Sequence, residues 1–207
     1  MRITLSIFFI SLSSLLSAQT FCGILTLNIT KSGKTAPAKM LACGSEFLMR
    51  YDLDFNGTLT RTEYLVNTQT GDSYLKSKVN GKDFAVKLTE KELSGTIGLV
   101  NINRTDDKKT VGGFNCELLK IQHRDGSTTE AWITEESGFD MSEFAHFIKD
   151  DAASSALKKL GIKACPIQST TKDKNGVETY SFTVTEIQRT AVDKELFKVP
   201  TTLLQTK

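Results

Sequence analysis

Proline is scarce in this chain, with three residues among 207, which excludes proline-rich linkers and collagen-like repeats. Histidine occurs only at His123 and His146, and tryptophan only at Trp132. No C-x-x-C is present and the two histidines stand apart, so the sequence offers no zinc site. Charge of one sign never accumulates. Twenty-six basic against 24 acidic side chains leave +2, and the absence of a basic stripe excludes a nucleic-acid binder. There is also no G-x-S-x-G elbow, no P-loop and no G-x-G-x-x-G. The acidic pairs Asp106-Asp107 and Glu135-Glu136 lie beside turns, and neighbours on a strand point to opposite faces, so carboxylates sharing a proton do not follow. His123, before Asp125-Gly126, reads as a solvated strand-end imidazole, and His146 as a helix-flank residue. No catalytic residues and no cofactor are expected. What the chain does have is 39% hydrophobic and 24% charged residues, enough to build one globular core.

The one long apolar run is N-terminal. Arg2 precedes Ile3 to Leu16, and Ser17-Ala18 offers the small residues a signal peptidase needs. Fourteen residues fall short of the ~20 that cross a bilayer. Cys22 does not directly follow the small residues, as a lipid anchor would require. Residues 1–18 are therefore expected to be a signal peptide and residues 19–207 a single exported domain that does not span a membrane, periplasmic or extracellular. In an oxidising compartment the even set Cys22, Cys43, Cys116 and Cys165 implies two disulfides. Proximity favours Cys22–Cys43 with Cys116–Cys165. Strand phase opposes it, because Cys43 shares the phase of the odd apolar positions up to Phe55 while Cys22 is out of phase with Leu25, Leu27 and Ile29. A bulge at Gly23 or Gly44 would reconcile the two.

Most of the remaining chain alternates apolar and polar residues between turn signals: Ser32-Gly33, Asn56-Gly57, Thr70-Gly71-Asp72, Asn80-Gly81, Asp125-Gly126 and Asp173 to Gly176. This predicts a mainly β fold of about ten antiparallel strands. A single helix is expected over Met141–Leu160, where Asp140 and Glu143 fit a capping box, Met141, Phe144, Ala145, Ile148, Ala152 and Leu157 fall on one face, and Lys158, Lys159 and Gly161 supply a C-terminus. Asp150-Asp151 is where it would bend or split.

The sharpest motif is Asp52 to Glu63. Oxygen donors Asp52, Asp54 and Asn56, Gly57 at the sixth position, Thr58 following it and Glu63 at the twelfth satisfy an EF-hand loop that would bind calcium. Against it, Phe47 to Phe55 alternates with period two, no second loop is present to pair with, and the surroundings read as strand. An Asn-Gly hairpin carrying acids explains the same residues. Asn28, Asn56 and Asn103 open glycosylation sequons that matter only in a eukaryotic secretory pathway. Trp132 reads as a half-buried strand residue before it reads as a ligand platform.

Gly113-Phe114-Asn115-Cys116, then Ala131-Trp132-Ile133-Thr134, then Val192-Asp193-Lys194-Glu195-Leu196-Phe197-Lys198-Val199-Pro200 resemble, in that order, motifs of a family of exported bacterial proteins, the domain of unknown function 4412. That family is related in fold to the LolA and LppX lipoprotein carriers. The resemblance implies a strongly curved antiparallel sheet, an incomplete barrel with a helix against its concave side. It implies no assigned activity. By analogy with the carriers, a lipid or another hydrophobic ligand or partner would sit in the groove, with Phe144, Ile148 and Trp132 as its lining. The alternative is a secreted calcium-binding protein using Asp52, Asp54, Asn56, Thr58 and Glu63.

Overall fold

The structure, a computed structural model, describes residues 21–55, 58–79, 82–89, 98–145, 151–200 and 203–204; for 52–55, 58–60, 79, 82, 83, 203 and 204 it describes the backbone alone. The expected signal peptide lies outside the described residues.

Period-two alternation becomes strands almost throughout. They are β1 (Cys22–Lys31), β2 (Lys34–Cys43), β3 (Glu46–Phe55), β4 (Thr58–Asn67), β5 (Asp72–Val79), β6 (Lys82–Lys87), β7 (Leu99–Val111), β8 (Phe114–His123), β9 (Thr128–Thr134), β10 (Cys165–Lys172), β11 (Glu178–Arg189) and β12 (Leu203–Leu204). All lie in one sheet of order β12-β6-β5-β4-β3-β2-β1-β11-β10-β9-β8-β7. Every pairing is antiparallel except that of the short β12, which runs parallel to β6. The sheet ends at β12 and β7, which do not pair, so it is an incomplete curved barrel.

The helical segment expected over Met141–Leu160 is split at Asp151, within the pair where a bend or split was expected. Residues Met141–Phe144 form one 3-10 turn, and a separate helix, α1, spans Ala152–Leu160. Asp140 caps the first by accepting from the amide and hydroxyl of Ser142, both on Oδ1. Asp151 has extended backbone and caps the second by accepting from Ala153 N and Ser154 N, and its other carboxylate oxygen takes the Ser154 hydroxyl. A residue that caps a helix cannot also sit inside one, so Asp151, at the centre of the apolar pattern, divides it. The far end behaves as read, with Gly161 left-handed at φ +68.

Three apolar clusters hold the fold. Leu25, Leu27, Met40, Phe47 and Val66 from β1–β4 pack with Phe139, Met141 and Phe144. Cross-strand partners share a face, so this defines the inner face of the sheet, with residues 137–145 lying on it as a plug. Leu119, Ile121, Ala131 and Ile133 of β8 and β9 pack with Ala153, Ala156 and Leu157 of α1. Leu41, Leu48 and Leu65, on the opposite face of β2–β4, are covered by Phe197, with Val192 and Leu196 beside it. The C-terminal segment thus straps the outer face.

Cys22 and Cys43 face each other directly across β1 and β2 and form a disulfide, without the expected bulge. The phase conflict vanishes because the turn at Gly44-Ser45 pairs Cys43 with Glu46, odd with even. Leu41 and Cys43 therefore lie on the outer face while Phe47 lies on the inner one. The expected second bridge is not formed: Cys116 and Cys165 are free and buried. Burial pushes both thiols up from their ordinary value, so they stay protonated. A disulfide points to an oxidising, extracytoplasmic compartment, and among the described residues no helix is long and apolar enough to cross a membrane.

Alkylation of the unfolded, unreduced protein should therefore label two cysteines, and four after reduction. Replacing Cys22 and Cys43 together by Ala should lower stability by about 3 kcal/mol in chemical denaturation, the chain-entropy value for a loop of this size.

Candidate functional site

Of the residues expected to line a groove, Phe144 is at the centre of the core. It is 2% exposed, and its ring centroid lies 4.7 Å from that of Phe47 and 5.7 Å from that of Phe139. Phe139 in turn lies 4.9 Å from Phe21. Phe144 therefore fills a closed core, a position where Phe→Ala costs about 3–5 kcal/mol. Ile148, like His146, lies outside the described residues. Trp132 is half-buried on β9 between its partners Leu118 and Gln168. It packs against the same core cluster, the Lys109 ammonium sits 4.1 Å from its ring centroid, and that ammonium donates to Gln168 Oε1 at 2.9 Å. The structure thus attaches Phe144 and Trp132 to one apolar cluster, from two different elements.

Beyond the plug the inner face continues across β3–β6. The row Leu25–Met40–Met49–Tyr64–Leu75–Val86 follows the register of five strand pairs, and Tyr51 and Phe84 fall on the neighbouring row Leu27–Ala38–Tyr51–Thr62–Ser77–Phe84. Leu25 and Met40 are buried under the plug. Met49, Tyr51, Tyr64, Leu75, Phe84 and Val86 are only half-buried. Burial raises the phenol pKa of Tyr51 and Tyr64 above the ordinary value, so this strip is uncharged at neutral pH. Sequence reading missed it because each strand shows only its own alternation. Which apolar positions line up depends on the register of all the pairs.

Beside the apolar patch under Phe197, the outer face of the same strands carries a charged row. Lys39, Arg50, Glu63 and Lys76 stand in one cross-strand row. The Glu63 carboxylate receives Arg50 Nε at 2.7 Å and faces Lys76 Nζ at 3.3 Å. Lys76 also donates to the backbone oxygen of Leu196, tying the C-terminal strap to the ladder. The alternative calcium loop accordingly meets a β3–β4 hairpin, the reading the alternation favoured, with Arg50 opposite Glu63, where an EF-hand needs two helices. The side chains of Asp52, Asp54 and Thr58 lie outside the described residues, as does Asn56 altogether. Among the described residues no three His, Cys, Asp or Glu side chains gather as a metal site.

Among the described residues, two surface cavities are lined mainly by charged and polar side chains. One of about 240 Å³ is lined by Arg104, Cys116, Glu117, Glu135 and Glu136 among others. Its carboxylates are engaged: Glu117 accepts from Arg104 Nε at 2.6 Å, Glu135 from Arg104 Nη2 at 3.1 Å, and Glu136 from Asn115 Nδ2 at 3.0 Å. The other, of about 260 Å³, lies beside Glu63 and Lys76. In neither does a free base face an activated nucleophile.

His123 corrects the expectation of a solvated imidazole. It is buried beneath the β8–β9 turn, and its Nε2 shares a hydrogen bond of 2.8 Å with Thr129 Oγ1, which contacts Thr171 Oγ1 at 2.7 Å. Burial lowers its pKa, with nearby Asp125 opposing. The folded state therefore disfavours the imidazolium, and its contribution is fully present above the unfolded value of about 6.5. Stability should fall as pH drops through that value toward the lower folded one, and His123→Gln should flatten this part of the stability–pH curve. Glu63→Gln should lower stability by ~1 kcal/mol through the lost pairing. Melting of parent and variant should respond alike to millimolar calcium and to chelator, as measured by differential scanning calorimetry.

The fold has relatives among solved structures. An uncharacterised conserved protein from Thermus thermophilus aligns with a TM-score of 0.55 at 9% identity, covering 91% of this chain and 93% of that one. A chain of the MucA/MucB complex of Pseudomonas aeruginosa aligns with a TM-score of 0.50 at 11% identity, covering 88% of this chain and 57% of that one. A putative outer membrane lipoprotein-sorting protein domain from Vibrio parahaemolyticus gives a TM-score of 0.38 at 11% identity, covering 84% and 88%. At these identities the likeness concerns the fold alone. No curated protein matches the sequence. The family model described as domain of unknown function (DUF4412) matches residues 21–203, the whole of the described sheet apart from the last residue of β12, and the chain belongs to that family.

Proposed function

We propose that the protein is a non-enzymatic exported binding protein that holds an apolar ligand, a lipid or another hydrophobic group, on the inner face of its open half-barrel. The observation that carries this reading is the strip Met49, Tyr51, Tyr64, Leu75, Phe84 and Val86. It is continuous with the sealed core, shares its face, is uncharged, and keeps part of its apolar surface outside the close-packed interior. Ligand sites are concave and mostly apolar, with a few polar groups for orientation, and the two phenols supply those. The plug bounds the strip at its buried end, so a longer ligand would have to displace Phe144 and its neighbours. The MucA/MucB complex supports binding over catalysis as the use of this architecture, because a chain of this fold there takes part in a complex of two proteins.

Native mass spectrometry of protein purified from its own compartment should show copurified lipid, and the delipidated protein should bind N-phenylnaphthylamine. Replacing Leu75 and Val86 together by Asp should weaken that binding by about tenfold or more, the worth of two partly buried aliphatic contacts. The folded sheet should survive, because both positions are half-exposed. Absence of both lipid and probe binding in the parent protein would sink the proposal.

A further inference from the structure

The two ends of the half-barrel are built from different segments of the chain. The connection from the end of β9 to the start of β10, at one end of the half-barrel, carries Glu135, Glu136, Asp140 and Glu143 in residues 135–145 and the exposed cations Lys158, Lys159 and Lys163 beyond them. At the opposite end lie the tips of the hairpins β1–β2, β8–β9 and β10–β11. They form one rim. Ser32 N, in the first tip, donates to Thr179 O of β11 at 3.1 Å, and a Cβ placed on Gly126, in the second, would lie 3.4 Å from Lys174 Cβ in the third.

Five cations stand exposed on this rim: Lys31, Lys34, Arg124, Lys172 and Lys174. Its three carboxylates are turned onto their own hairpins. Asp125 accepts from the amide and hydroxyl of Ser127, Asp173 from the amides of Asn175 and Val177, and Glu178 from the Ser181 hydroxyl. Hydrogen bonds from the Ser127 hydroxyl and amide hold Asp125, and those from the amides of Val177 and Asn175 hold Asp173, below the ordinary carboxylate pKa, so they remain charged, yet the rim keeps an excess of two positive charges. At its crest, beside Lys174, Val177 is 60% exposed, one of the most exposed large apolar side chains among the described residues. An isolated exposed valine needs no explanation by itself. In a hairpin tip that also carries Lys172 and Lys174, it matches a surface that offers negative charge outside and hydrocarbon just beneath.

We propose that the rim of Lys31, Lys34, Arg124, Lys172, Lys174 and Val177 is a peripheral docking surface for an anionic phospholipid bilayer. The excess of positive charge on the rim attracts the molecule to such a surface. The reading does not depend on the groove holding a ligand, since it concerns the hairpin tips alone.

Flotation of the mature protein with vesicles tests it. The protein should float with vesicles of phosphatidylcholine mixed with phosphatidylglycerol and stay behind with phosphatidylcholine alone. Each rim lysine should contribute about fivefold in partitioning, so Lys31→Gln, Lys34→Gln and Lys174→Gln together should weaken it by about a hundredfold. Salt should release the protein as the screening length falls to ~3 Å at 1 M. Val177→Asp should weaken binding further, whereas Lys194→Gln with Lys198→Gln, on the strap across the outer face, should leave it unchanged. No flotation on anionic vesicles overturns the proposal. So does an equal loss in the rim and strap variants, which would mean that overall charge alone attracts the protein. Circular dichroism of each variant confirms that the sheet is intact. Because no apolar ligand is involved, a protein that binds no probe but floats would reject the groove and keep the rim.

Discussion

A sheet that curves without closing leaves two faces and two edges to be satisfied, and that constraint organises the molecule. The inner face of β1–β4 is sealed by the plug, whose aromatic rings run from Phe21 through Phe139 and Phe144 to Phe47. The outer face of the same strands is sealed by Phe197 on Leu41, Leu48 and Leu65. The second half of the sheet takes α1 instead. At one edge β12 covers part of β6, and at the other β7 is left with charged side chains and a break in register between Arg104 and Lys108, devices that discourage another strand from adding.

The plug is held by few directional bonds. Met141 N donates to Ala164 O at 3.0 Å, and Arg189 Nη2 donates to Ser137 O at 3.1 Å. Gly138 has φ +69, and a side chain there would strike that same guanidinium, so the approach of Arg189 is possible because the residue is glycine. Most of what keeps the plug in place is therefore aromatic packing, which another apolar group can replace in kind. This is why a sealed core and a proposed apolar ligand are compatible on one face.

The polar side of the molecule is more committed. Glu63, Glu117, Glu135 and Glu136 each have named partners, and the free thiols are buried and protonated. Chemistry of the nucleophilic or acid–base kind needs a group left available, and the carboxylates of the polar cavities are instead used to fix strands to one another.

Much of this was legible in the residues. Alternation and Asn-Gly, Asp-Gly and Thr-Gly-Asp turns determined the strands, because side-chain phase and turn chemistry are local properties. Asp140, Lys158, Lys159 and Gly161 marked helix ends for the same reason, and the motifs around Phe114–Cys116, Trp132 and Val192–Pro200 indicated the family. Tertiary structure alone decided the rest. Whether Asp151 lies within a helix or caps one depends on whether its carboxylate is better used by the amides of Ala153 and Ser154. Which cysteines meet depends on a turn that exchanges odd for even. The half-buried strip from Met49 to Val86 exists only once five strand pairs fix their registers, and the burial of His123 only once β8, β9 and β10 lie side by side. Local patterns specify which face a residue takes along its own strand; only the assembled sheet specifies what that face meets.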